Sequence, residues 1–160
     1  MRNLTKTIAL NVQLREGVKM EVQKELITRR FTDYENKVTV ETISHKETSK
    51  WFNCLYLSFI KKDFINFKYP KIKTQDNGRL SFQHWKSDFG KIECHGGVTF
   101  YEEIFLRELS RTVVKIGCDY QHFHDDFYMA GDHGKMILEN DGPEFLNNFL
   151  ELANYRNENK

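Results

Sequence analysis

Hydrophobic and polar residues alternate through 5–14. Ile8, Leu10, Val12 and Leu14 fall on one side and Thr7, Ala9, Asn11 and Gln13 on the other, the period-two pattern of a half-buried strand. A turn signal follows at Arg15-Glu16-Gly17, where the glycine can take a positive φ, and Val18, Met20 and Val22 resume the alternation. The pattern therefore predicts a hairpin, with a helix over 18–30 as the competing reading because that stretch is rich in helix formers. Val38, Val40 and Thr42 predict a further strand over 37–43, after a turn at Asp33-Tyr34-Glu35-Asn36. Over 51–60 the pattern is ambiguous: Trp51, Leu55 and Phe59 suit a helix, while the ring-rich composition suits a buried strand.

Residues 61–90, with scattered aromatics and Asp-Asn-Gly, read as a long irregular excursion holding one short helix. Two strands are expected at 91–100 and 111–119, with Tyr101–Arg111 as the loop or hairpin tip between them. The clearest helix covers 141–155. Pro143 suits its first position, Asp141 and Glu144 its dipole, and Phe145, Leu146, Phe149, Leu150, Leu152 and Ala153 its apolar face. The tail 156–160 should fray. Strands followed by a terminal helix predict a single α+β domain with a mainly antiparallel sheet.

Composition narrows the picture. The chain has 160 residues, 39% hydrophobic and 14% aromatic, and 13 phenylalanines offer a core built on large rings. The formal charge of +1 argues against long nucleic acids held on a broad basic face, and leaves room for a local basic patch or a small anionic ligand. Cys54, Cys94 and Cys118 are an odd number with no CxxC, which argues against a disulfide framework and fits a reducing cytosol. The first 17 residues lack the apolar core of a secretory leader, and no apolar run reaches the roughly 18 residues of a membrane span.

The candidate chemistry lies in Glu93–Tyr101 (ECHGGVTFY) and Ile116–Asp126 (IGCDYQHFHDD). If the two strands pair antiparallel, the start of the first meets the end of the second. That would gather His95, Asp119, His122, His124 and Asp126 at one sheet edge. His95, or His122, is then the candidate base with Asp119 as its orienting carboxylate. Gly96 and Gly97 mark either a bulge or a close backbone approach that cradles an anion, and with Gly117 they describe a shallow pocket floor beside Thr99. His122, His124 and Asp126 have the spacing to hold a divalent metal such as zinc, manganese or iron, although the same run also suits a solvated loop. Cys94 and Cys118 read as core residues, Cys118 with its thiol pKa raised by the adjacent Asp119. The Asp88-Phe89-Gly90 triplet stands without the rest of a kinase. Lys61, Lys62, Lys68, Lys71 and Lys73 alternate with Phe64, Phe67 and Tyr69. Such rings and lysines can engage nucleotides, but we read the stretch as an amphipathic surface with rings inward.

Cys94–Glu103 followed by Val113–Asp126 resembles a family of small, mostly uncharacterised proteins of bacteriophages and prophages. Its members carry His-Gly-Gly-x-Thr-aromatic, a strand ending in Gly-x-Asp-x-x-His-x-x-Asp, and a C-terminal helix. The matching positions are His95, Gly96, Gly97, Thr99, Phe100, Gly117, Asp119, His122 and Asp125 or Asp126, and the likeness spans about residues 50–155. It implies a viral or mobile-element origin, a strand at 53–59, and no settled activity. Together these readings lead to the expectation of a phage or prophage accessory protein in the host cytoplasm. It binds or hydrolyses a small polar ligand, nucleotides included, at His95, Gly96, Gly97, Thr99, Asp119, His122 and Asp126. The alternative is an anti-defence inhibitor of the anti-CRISPR type. It would act without catalysis, by contact with a host defence protein such as a Cas nuclease, through acidic segments at 124–132 and 139–144.

Overall fold

A computed structural model describes residues 2–13, 19–47, 50–74, 80–120 and 133–160. Among the described residues, eight strands and one α-helix form: β1 (Arg2–Gln13), β2 (Lys19–Asp33), β3 (Val38–Glu47), β4 (Lys50–Ile60), β5 (Ile72–Thr74), β6 (Leu80–Phe82), β7 (Phe100–Leu106), β8 (Arg111–Asp119) and α1 (His133–Glu158). Six of the strands form one antiparallel sheet in the order β1-β2-β3-β4-β8-β7, and β5 pairs with β6 in a small separate ladder. The α+β class with a mainly antiparallel sheet and a C-terminal helix is thus the architecture observed. The first hairpin forms as the alternation predicts, β1 pairing β2 from Arg2↔Arg30 to Gln13↔Lys19. The turn at 33–36 also forms, closed by Asp33, whose carboxylate accepts from the Asn36 amide at 3.1 Å.

Burial settles the ambiguity at 51–60. Asn53, Leu55, Leu57 and Phe59 are buried while the residues between them are half-exposed, which is a period of two and hence a strand. These side chains face α1, together with Val38, Val40 and Thr42 of β3 and Val114, Ile116 and Cys118 of β8. Phe59 sits at the middle of a ring cluster, 4.8 Å from Phe149, 5.1 Å from Phe64 and 6.0 Å from Phe89 between centroids. Each such pair adds about 0.5–1.5 kcal/mol beyond the area it buries. The excursion 61–90 is organised by this cluster. Its 3₁₀ turns at Lys61–Phe64, His84–Lys86 and Asp88–Lys91 carry Phe64 and Phe89 inward, while Phe67 and Tyr69 come from the stretch between turns.

Three expectations need correction. Residues 91–100 do not form a strand. Asp88–Lys91 is a 3₁₀ turn, the chain runs irregularly to Thr99, and the strand is β7, within the segment expected to be a hairpin tip. The true tip is the 3₁₀ turn Arg107–Leu109 closed by Ser110 in the left-handed region. Nor does the helix begin at Pro143. It begins at His133 and carries Pro143 in its interior, because Gly134, Ile137 and Leu138 continue the buried stripe of Phe145, Leu146, Phe149 and Ala153 toward the N-terminus. That burial outweighs the backbone hydrogen bond that Pro143 cannot make to the Glu139 carbonyl. Finally, the tail is helical to Glu158, anchored by Arg156, which donates two hydrogen bonds to the buried Asp88 at 2.9 and 2.6 Å.

Candidate functional site

The turn that carries His95 is built by its glycines. The Gly97 amide donates to the Cys94 carbonyl at 2.9 Å, and Gly96 and Gly97 both take positive φ, 67° and 86°. A turn with His95 and then a left-handed residue at its corner requires Gly96. The Gly97 amide is consumed in the turn, so the predicted anion cradle loses that donor. The bulge lies further along: the Thr99 amide donates to the Gly117 carbonyl at 2.9 Å while Phe100 is the register partner of Gly117, so two residues face one. Gly117 is not a pocket floor either. The Tyr56 ring lies across it, and a Cβ there would sit 2.5 Å from that ring and 2.5 Å from the Leu55 carbonyl oxygen.

Strand alternation then divides the predicted site between the two sides of the sheet. Tyr120 follows β8 on the face covered by α1. It is wholly buried, its amide donates to the Asn53 carbonyl at 3.0 Å and its hydroxyl donates to Asp141 of the helix. The His95 ring stacks flat on the Tyr120 ring, with centroids 4.3 Å apart and planes within 8°. Asp119, one residue earlier, turns to the open face with Cys54 as its register partner, and there it accepts a hydrogen bond from the Thr99 hydroxyl at 3.4 Å. His95 thus stands on the helix side, stacked on Tyr120, and Asp119 with Thr99 on the other. His122, His124, Asp125 and Asp126 lie outside the described residues. Among the described residues no group of three His, Cys, Asp or Glu side chains is placed to share a metal ion.

On the helix side the turn and α1 enclose a cavity of about 310 Å³. Its walls are Glu93, Cys94 and His95 on one side and Asp141, Glu144 and Asn148 on the other, over a base of Leu55 and Phe145. The Asn148 amide group donates to the Glu93 carbonyl at 3.1 Å and ties the walls together. His84 Nε2 fixes the far end of the turn by donating to the Val98 carbonyl at 2.9 Å.

Burial, and after it the hydrogen bond to Asp141, push the Tyr120 hydroxyl far above its ordinary pKa, so it stays a proton donor. Cys118 is buried, and its thiol is likewise held far above its usual pKa, first by the hydrogen bond with Cys94 and then by burial. It is a core residue, as expected, and Asp119 contributes only a small part of its shift. Tyr120, Asp141, Glu144, Glu93 and Asn148 are the residues that sequence reasoning missed as site members. Tyr120 lies inside the Gly-Cys-Asp-Tyr motif, and the sequence reading gives Asp141 and Glu144 to the helix dipole and to an acidic contact segment rather than to a pocket. Compared with protein-family models, with curated proteins and with solved structures, the chain gives no match.

Proposed function

We propose that the chain is a phage- or prophage-encoded accessory protein that works in the host cytoplasm and binds a small polar ligand in the cavity between the 93–97 turn and α1. The observation that carries this reading is the cavity itself: about 310 Å³, with His95 on a rigid ring support facing two helix carboxylates. Its three acidic side chains, Glu93, Asp141 and Glu144, select for hydrogen-bond donors or positive charge and against a bare phosphate. A nucleoside base or an amine fits that wall, with Asn148 and His95 as further hydrogen-bonding groups.

Native mass spectrometry of protein purified from host cells tests this. The expected result is a small-molecule adduct that is lost in His95→Ala and in Glu144→Gln, both keeping the wild-type circular dichroism. Absence of any adduct, together with no thermal shift from a panel of nucleosides and polyamines, would sink the proposal.

A second reading, an anti-defence inhibitor acting by protein contact, is favoured by one observation. The edge strand β7 ends in exposed Ile104, Phe105 and Leu106, followed by exposed Leu109 in the tip. An edge strand of that character accepts a strand from a partner protein. A host nuclease recovered stoichiometrically on the wild type and lost on Phe105→Lys supports this reading, and its persistence on Phe105→Lys removes it.

A further inference from the structure

Two more cavities meet at Tyr69, and their charge is opposite to that of the helix-side cavity. One, of about 480 Å³, is lined by Lys68, Lys71 and Lys86 beside Tyr69. The other, of about 360 Å³, is lined by Lys61, Lys62 and Arg111 and also touches Tyr69. Among the described residues, neither lining contains a carboxylate. In a chain of formal charge +1, six cations around one tyrosine are a local concentration rather than a general excess.

The neighbouring acids do not cancel it. Glu103 takes Lys61 at 2.6 Å, and Asp88, fully buried, spends its charge on Arg156 and the Lys68 amide, which it accepts at 2.7 Å. Lys62, Lys68, Lys71, Lys86 and Arg111 remain as cavity walls. Like charges crowded together raise the local potential and draw anions to the site.

The platform under these cations is fixed. The Tyr69 hydroxyl donates to the Phe64 carbonyl at 2.8 Å, and its ring packs 5.4 Å from Phe89. The carboxylate of Asp88 holds the Lys68 backbone, and the Ser87 hydroxyl donates to the His84 carbonyl. Ser110, in the left-handed region with φ of 46°, sets the approach of Arg111 to the second cavity. Lysines on a backbone held this way lose less freedom on gripping an anion than lysines on a loose loop.

We infer that the cavities beside Tyr69 form a site for a phosphate-bearing ligand. This chemistry has two sources, a small polyphosphate or the successive phosphates of a short single strand. The site is separate from the helix-side cavity, whose carboxylates repel the same groups.

The test uses the full chain with two probes, inorganic pyrophosphate and a fluorescein-labelled oligothymidylate, followed by calorimetry and anisotropy at fixed ionic strength. Saturable binding of either probe is expected, weakened about tenfold by Lys68→Glu and by Arg111→Glu. Pyrophosphate binding assigns the site to small polyphosphates, and binding of the oligonucleotide alone assigns it to a strand. His95→Ala and Glu144→Gln should leave both untouched, so this inference and the helix-side reading succeed or fail separately. Lys135→Glu, on exposed helix surface away from both linings, is the control for bulk charge. If neither probe binds, or if Lys135→Glu weakens binding as much as Lys68→Glu does, the inference is overturned.

Discussion

Asp88 shows at the scale of one residue how a misleading triplet becomes a structural clasp. Its side chain is fully buried, yet it stays ionised: burial pushes its pKa up, and the Arg156 hydrogen bonds, the Lys68 amide and the charges of Arg156 and Lys91 together pull it below the usual value. Asp88-Phe89-Gly90 was visible in the sequence, but the partner 68 residues away was not, because nothing local marks a long-range ion pair. A carboxylate with a lowered folded pKa stabilises the fold above its unfolded pKa, and that contribution disappears as pH falls through the folded value. The protein should therefore lose stability below about pH 4, where a free aspartate begins to protonate. In Asp88→Asn that acid-dependent component should be missing. Arg156→Ala removes the bidentate partner of that buried charge and should lower stability at neutral pH by urea unfolding. A loss under about 1 kcal/mol would show that Lys91 and the Lys68 amide suffice without the guanidinium.

At the scale of elements, what the sequence revealed depended on whether a segment's pattern was stronger than its neighbours' signals. The first hairpin, β3, β8 and the class of the fold follow from alternation that no tertiary contact contradicts. β7 was displaced because Ile92 and Val98, both buried, give 91–100 the look of a strand although they anchor a turn and a coil. The exposed Ile104 to Leu106 gave β7 itself the look of a loop. The start of α1 was hidden behind Gly142-Pro143, a pair that ordinarily ends helices. Gly142 is there for proximity, since a Cβ would meet Phe31 at 3.1 Å. Of the candidate site, the glycines at 96 and 97 marked a departure from regular strand but were read as a bulge or an anion approach, not as the turn that forms; the partner face was not legible, since the side to which Asp119 turns depends on a register that only the paired strands fix.

Gly134 makes the element-level prediction. The helix start rests on buried Thr42, Ser44 and Asn53, with the Thr42 hydroxyl donating to the Gly134 carbonyl at 3.0 Å, and a Cβ on Gly134 would collide with the Ser44 hydroxyl. Alanine would gain about 1 kcal/mol of helix propensity. Overpacking of about 1–3 kcal/mol opposes it. Gly134→Ala should therefore lower stability, and Ser44→Ala in the same chain should recover part of the loss in a double-mutant cycle. Strictly additive effects would mean that the two groups do not meet.

For the molecule as a whole, the six-stranded sheet covered on one side by α1 leaves chemically distinct surfaces: an acidic cavity under the helix, a basic pair of cavities around Tyr69, and an apolar edge at β7. The first two are concave and suit small ligands. The third is convex backbone, with Phe105 61% exposed and Leu109 59% exposed. Sheet edges are normally guarded by lysine, proline or a bulge. The bulge opposite Gly117 guards only the start of β7, and its end carries apolar side chains instead. Charge placed there should change how the molecule meets others without changing how it folds. Phe105→Lys should keep its unfolding free energy within about 0.5 kcal/mol of wild type, since the side chain is mostly in water. Light scattering should show its association falling at every protein concentration at which the wild type associates. An equal loss of stability and of association would instead place Phe105 in the folded core's support and deny the edge a role as a contact surface.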